Sequence, residues 1–250
     1  MKPGTTSDGL LTGTTVLVTG ASGGIGRETA LAAHREGAHV IAHWAHNERA
    51  AADLEKLLGG RGRLVRADLL DPDATENMWH EALAWRGRID VLVNNAGAWL
   101  SSSPRDAGDW RRGWSENLAL NLTGPADLSR NALLHFEERG GGVIVSVTSR
   151  SAHRGDDAEH LAYGAAKAGL QSLTKGIARG FARSGVLAYS IAPGWVATEL
   201  AAGSTSGADL PLGEVTPPQD VAEMIVFLAS GRSRHTTGAT IDITGADYVR

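Results

Sequence analysis

Thr14-Thr-Val-Leu-Val-Thr19 runs directly into Gly20-Ala-Ser-Gly-Gly-Ile-Gly26, and that loop into Ile25-Gly-Arg-Glu-Thr-Ala-Leu-Ala-Ala-His-Arg-Glu36. The first run is β-branched and short, as a buried strand is. The last has helical spacing, and Gly37 stands where a left-handed residue would stop the helix. The glycines between them permit a tight turn and let the backbone come close to a pyrophosphate. The helix N-terminus behind them offers unpaired N–H groups and the positive end of its dipole. A plain tight turn is the bland reading. A glycine loop placed after a strand and before a helix favours dinucleotide binding, with Gly20, Ser22, Gly23, Gly24, Ile25 and Gly26 as the contacting residues.

The same alternation continues outward. Residues 38–43 read as a second strand, and Asn47 caps a helix over 48–58. A third strand covers 62–67 and its helix 72–85; 89–94 is the fourth strand. A long helical region runs from about 109 to 139, followed by a fifth strand at 143–148. The helix carrying Tyr163 comes next, then a sixth strand at 186–192, a helix over 217–230 and a seventh strand at 239–243. Seven short apolar strands alternating with helices predict an α/β protein. Its core is a doubly wound (Rossmann) seven-stranded parallel sheet with helices on both faces. No repeat or linker composition interrupts the chain. The expected organisation is a polar arm over 1–12 and a single dinucleotide-binding domain over 13–250.

The chain has 250 residues, 42% of them hydrophobic, and a net charge of -4. That gives no basic field for nucleic acid. Without cysteine there is no disulfide or thiol chemistry. The nine histidines have no metal-ligand spacing, so no metal is expected. The start, MKPGTTSDGLLTG, lacks the apolar run of a signal peptide, and no stretch is long and apolar enough to span a membrane. A soluble, cytoplasmic protein is the expectation.

Tyr163-Gly-Ala-Ala-Lys167 places a phenol and an ammonium one helical turn apart on the same face. An ammonium nearby favours the phenolate and would lower the phenol from its usual value of roughly 10. The product is an acid/base for an alcohol or carbonyl oxygen. Alone, such a pair is most often a surface feature.

The surrounding motifs carry more weight. Gly20, Gly24 and Gly26 fit T-G-x-x-x-G-I-G. Asn94-Asn95-Ala96-Gly97 ends the fourth strand, Asn121 stands in Asn121-Leu-Thr-Gly, and Ser149 lies ahead of Tyr163. Pro193-Gly194-Trp195-Val196-Ala197-Thr198 fits P-G-x-V-x-T. In this order, across roughly 13–245, the set resembles the short-chain dehydrogenases/reductases, among them the 3-oxoacyl-carrier-protein-reductase-like members. The resemblance implies an NAD(P)-dependent oxidoreductase acting on an alcohol/carbonyl pair. It makes Tyr163 the acid/base, Lys167 its partner and ribose ligand, and Ser149 the substrate-oxygen ligand, with Ser146 and Ser151 as rivals. Asn121 would loosen its helix and serve the proton path; a solvent-facing helix residue is its bland alternative. Asn95, Ala96, Gly97, Pro193, Gly194, Val196 and Thr198 would line the cofactor. Asp68, with Leu69, would meet the adenine or else cap a helix.

For cofactor choice, relatives that use NAD carry an acidic residue at the end of the second strand, a position that falls here at Trp44. No carboxylate occurs from Val40 through Asn47, so NADP(H) is favoured over NAD(H). His43, His46, Asn47 and the following helix N-terminus are left as phosphate contacts, with a preference that strengthens toward pH 6. Residues 199–216, short and rich in small residues, stand where the resemblance implies a substrate lid over a pocket with Trp99 and Trp195 near its mouth; a plain surface loop is the bland reading. The resemblance also implies a homotetramer or dimer. A non-catalytic cofactor sensor on the same fold is the alternative function.

Overall fold

The computed structural model describes residues 9–199 and 206–250. In chain order, β1 (Thr15–Val18) leads to α1 (Gly24–Arg35), β2 (His39–Trp44) to α2 (Glu48–Leu58), and β3 (Gly62–Arg66) to α3 (Pro72–Arg86). β4 (Val91–Asn94) follows, then α4 (Ala107–Leu118) and α5 (Gly124–Arg139), which are joined by a π-helical turn, Ala119–Thr123. β5 (Gly142–Val147), the single turn α6 (Ser151–Arg154), α7 (Leu161–Phe181), β6 (Val186–Pro193), α8 (Pro218–Ala229) and β7 (Thr240–Ile243) complete the order. The seven strands form one sheet in the order β3-β2-β1-β4-β5-β6-β7. Every pairing is parallel. This is the doubly wound Rossmann arrangement that the alternating pattern predicts.

The strands are apolar at successive positions because both faces of the sheet are covered. Val16, Val18, Val91, Val93 and Val145 pack beneath α1 and α8 in one core. Leu17, Leu92 and Ile144, one residue out of step, pack beneath α3, α5 and α7 in the other. Strand order reverses at β1, whose neighbours are β2 and β4. The crevice beyond the carboxyl ends of these strands is where an open α/β sheet receives a ligand.

Three details differ from the sequence reading. Residues 9–12 do not behave as a loose arm. Leu11 is buried, its N–H donates to Glu36 O at 2.9 Å, and Leu10 N–H donates to Glu36 Oε2 at 2.7 Å. The helix expected over 109–139 is interrupted by the π-turn. Pro125 has no N–H for the carbonyl of Asn121 four residues earlier, and its ring crowds that carbonyl, so the backbone widens there. The turn α6 has no period long enough to be read. Residues 200–205 of the expected lid lie outside the described residues. Its base is tied down by Ala197 N–H to Thr216 O at 2.9 Å and Thr216 N–H to Trp195 O at 3.0 Å.

Candidate active site

A cavity of about 560 Å³ opens at the crevice. It is lined by Gly20, Ser22, Gly23, Gly24 and Ile25 of the glycine loop and by Asn95, Ala96 and Gly97. Ser149, Tyr163 and Lys167 line it too, with Pro193, Gly194, Val196 and Thr198; Asn47 also reaches it. The loop between β1 and α1 is held in a form that only glycine supplies. Gly20 has φ +65°, and a methyl group on Gly26 would lie 2.2 Å from Gly20 O. Gly23 is the N-cap of α1 and offers no side chain to the first-turn N–H groups. These donors and the dipole end suit a phosphate.

Asn95 fixes the neighbouring strand end against this loop. Its Nδ2 donates to Thr19 O at 2.8 Å, and the Thr19 hydroxyl accepts from the N–H groups of Asn95 and Ala96, each at 2.9 Å. Thr19 is a contributor that the sequence does not single out.

α7 buries the stripe Tyr163, Ala166, Lys167, Leu170, Thr174, spaced three and four residues apart, so Tyr163 and Lys167 share the inward face. Lys167 Nζ donates to Val147 O at 3.0 Å and lies 5.7 Å from the centre of the Tyr163 ring. Asn121, fully buried in the π-turn, grips the loop at 98. Its Oδ1 accepts Ala98 N–H at 3.3 Å and its Nδ2 donates to Ala98 O at 3.0 Å. A methyl group on Gly97 would lie 2.6 Å from Asn121 Oδ1 and 3.1 Å from Lys167 Nζ. Both polar groups therefore face one small space, although Asn121 itself does not line the cavity.

Of the three candidate serines, Ser146 accepts a hydrogen bond from the Thr174 hydroxyl at 2.9 Å inside the protein and does not reach the cavity. Ser149 and Ser151 do reach it, and the N–H of Ser151 donates to Ser149 Oγ at 3.1 Å.

The electrostatics correct one expectation. Lys167 does not bring the phenol of Tyr163 below its ordinary value. Burial pushes Tyr163 up to about 12; a hydrogen bond with Ser149 opposes the rise and Asp156 adds to it. Burial also pushes Lys167 down to about 8. Its ammonium lies over the ring and is engaged with Val147 O, and burial of the phenol is the larger effect. Near neutrality Tyr163 therefore holds its proton.

His43, expected as a phosphate contact, is 2% exposed and points the other way. Its Nδ1 accepts Gly20 N–H at 3.1 Å, and its Nε2 lies 3.1 Å from Ala67 O, which makes Nε2 the protonated nitrogen. Burial pushes it down to about 4. It braces the glycine loop as a neutral ring, and a cation at this position is excluded. Protonation would set a second N–H against that of Gly20. His43 thus contributes stability that is fully present above pH 6.5 and is lost as the pH falls through 4, about 3 kcal/mol across the window. Urea unfolding at several pH values between 4 and 7 should show this slope for the wild type. His43→Asn, which keeps an acceptor toward Gly20, should flatten it; equal slopes would remove the assignment.

Asp68 and Leu69 also stand apart from the cavity. Asp68 Oδ1 accepts Leu70 N–H at 3.0 Å, and Leu69 is buried in the core beneath α3. The alternative of a helix cap goes to Asp71, whose Oδ1 accepts the N–H groups of Asp73 and Ala74. Asn47 caps α2 through Ala50 N–H at 3.1 Å while lining the cavity.

Trp99 and Trp195, which line the cavity, meet edge to face at 6.1 Å, and the His160 ring stacks on Trp99 at 3.7 Å. Arg27, Arg150, Arg154 and Asp156 line the cavity as well and carry no motif. Adjacency to Ser149 was the one signal for Arg150. Folding also brings ligand atoms of Asp156, Asp157 and His160 within 4.8 Å of one another, a grouping the histidine spacing does not reveal. His160 Nδ1 and Asp157 Oδ1 already pair at 2.7 Å, and no metal role is assigned.

A family model described as enoyl-(acyl carrier protein) reductase matches residues 20–245. The cis-4-hydroxycyclohexanecarboxylate dehydrogenase of Sinomonas cyclohexanicum is 37% identical over 239 residues, 92% of this chain and 94% of that protein. The L-rhamnose 1-dehydrogenase (NAD(P)(+)) of Sphingomonas sp. (strain SKA58) is 35% identical over 258 residues, 96% and 98% of the two chains. A solved structure, described as a short chain dehydrogenase/reductase family protein, superposes with a TM-score of 0.84 at 34% identity, covering 94% of this chain and 97% of that one. The chain belongs to the short-chain dehydrogenase/reductase family and is an enzyme, an oxidoreductase of the alcohol/carbonyl pair.

Proposed function

We propose that the enzyme interconverts a secondary alcohol and its ketone with NADP(H) as the favoured cofactor, using Tyr163 as acid/base. The observation that carries this reading is one cavity shared by the uncapped N-terminus of α1 and the Ser149, Tyr163 and Lys167 side chains. The glycine loop fits a pyrophosphate, because the space beside Gly23 is open and Gly20 and Gly26 leave room for nothing larger than hydrogen. When bound, a nicotinamide cofactor supplies the hydride chemistry. Ser149 Oγ and the Tyr163 phenol hold the substrate oxygen, and the phenol donates its proton as the alkoxide forms. Lys167 holds ribose hydroxyls and stabilises the phenolate left behind. Asn121, facing the same space as Lys167 Nζ, serves proton return to that site. The test is NADPH oxidation by purified protein over a panel of cyclic and acyclic ketones. A 3-oxoacyl thioester belongs in the panel as the narrower substrate reading. No turnover on any member, with NADPH bound, would favour the sensor alternative.

The preference for NADP(H) rests on the missing carboxylate at the end of β2, which removes the element that repels a 2′-phosphate. Asn47 and Arg27 line the cavity and are the side chains proposed to meet that phosphate, with Arg27 also paired to Glu28 at 3.3 Å, whereas His43 does not line it. The expected preference in kcat/KM, NADPH over NADH, is about tenfold to a hundredfold, or roughly 1.4–2.8 kcal/mol. Equal values for the two cofactors would overturn it. The same reading, by the family resemblance, makes the protein a cytoplasmic homotetramer or dimer. No helix among the described residues is long and apolar enough to cross a membrane.

A further inference from the structure

Arg150 follows Ser149 directly and forms part of the cavity wall, yet its side chain is only 8% exposed. Three groups hold it there. Its N–H donates to Pro193 O at 3.0 Å, its guanidinium lies 4.9 Å from the centre of the Trp195 ring, and it is ion-paired with Asp247. Asp247 belongs to the chain after β7, which is itself tied down. Arg250 Nε donates to Asp242 Oδ2 and Arg250 Nη2 to Thr240 O, both at 2.8 Å. The Thr244 hydroxyl donates to Tyr248 O at 3.0 Å, and the Tyr248 ring stacks on His153 of α6 at 5.8 Å. Asp247 is thus held against Arg150 from both sides of the sequence.

A guanidinium beside the proposed substrate-oxygen ligand would ordinarily recruit an anion, since a planar fork of donors matches a carboxylate. Here that charge is already answered from within the chain. Arg154 and Asp156, which also line the cavity, are of opposite sign, and Trp99 and Trp195 provide a flat apolar surface there. We propose that Asp247 is a specificity-determining residue: by neutralising Arg150 it reserves the substrate end of the cavity for uncharged, ring-shaped alcohols and ketones and excludes carboxylates. This rests on the reading of the cavity as an alcohol/ketone site, but the pairing is a property of the chain and is testable by binding alone.

The experiment titrates wild type and variants with cyclohexanecarboxylate and with cyclohexanol, following the change in tryptophan fluorescence on ligand addition, and repeats the comparison as kcat/KM on cyclohexanone and 4-oxocyclohexanecarboxylate. Asp247→Asn should shift the carboxylate-to-neutral ratio toward the carboxylate by tenfold or more in both readouts. Arg150→Gln, which leaves the carboxylate of Asp247 uncompensated, should shift the ratio in the opposite direction. The double variant should return near the wild-type ratio. If Asp247→Asn does not fold, the direction of the shift in Arg150→Gln decides. Ratios within twofold of wild type in the variants that fold, or a wild type that prefers the carboxylate, would overturn the proposal. Absence of turnover with the binding shifts intact would instead strike the catalytic reading and leave this one standing.

Discussion

Tyr163→Phe should lower turnover on any accepted ketone by roughly 10²-fold or more while cofactor binding is retained. The phenol is the proposed proton donor, and its ring is packed among buried neighbours that phenylalanine fills equally well. The pH dependence separates this role from a packing role. With the phenol pushed up to about 12, ketone reduction finds the protonated form ready across the neutral range. Alcohol oxidation requires the phenolate, so its rate should climb with pH well above neutrality, and Tyr163→Phe should lose that climb. Near-normal turnover in the variant, or an unchanged alkaline limb for oxidation, would remove Tyr163 as the acid/base.

Lys167→Ala is expected to be as damaging, and in two readouts at once. Loss of the ammonium removes the group that stabilises the phenolate, and loss of the ribose contact weakens the cofactor. Turnover should fall by roughly 10²-fold, and the cofactor Kd should rise by about tenfold or more. The variant also leaves Val147 O without its buried donor, a cost of about 1–3 kcal/mol.

Stability against pH gives an independent check on Lys167. Burial holds its amine at about 8 in the folded chain, below its ordinary value of 10.5. Between those values the unfolded chain binds the extra proton. The contribution of Lys167 is therefore fully present above 10.5 and is lost as pH falls through 8, about 3 kcal/mol over the whole window. Tyr163 acts in the opposite sense only above pH 10, so urea unfolding between pH 8 and 10 isolates the lysine. A wild type and Lys167→Ala with parallel stabilities over that interval would show that Lys167 is not the buried amine the geometry makes it.

Where a role depends on neighbours within one helical turn or one βα unit, the sequence alone determined it. The strand pattern required a parallel sheet covered on both faces, since Val16 and Leu17 face opposite cores and both must be apolar. The glycine loop was legible because φ +65° at Gly20 and the contact at Gly26 leave no other residue type workable. Tyr163 and Lys167 were legible because helix geometry alone puts them on one face. The resemblance implied a loosened helix at Asn121; the period on either side did not show it as a π-turn, whose backbone reason is Pro125 four residues later.

Only the tertiary structure decided what burial and distant pairing do to these groups. His43 sits beside the phosphate-binding turn in sequence terms, yet strand pleating directs it inward, to Gly20 and Ala67, where a charged ring is excluded. Asp68 was the acid offered as a cap, and the backbone at the start of α3 gives that role to Asp71. The phenol of Tyr163 rises instead of falling because the loss of water around it outweighs a lysine whose proton is directed at Val147 O. Arg150 and Asp247 are far apart along the chain and meet because β6 lies between β5 and β7 in the sheet, with Arg150 N–H bonded to Pro193 O at the end of β6. Spacing fixes which side chains share a surface, whereas desolvation and ion pairing depend on which remote segments close over it.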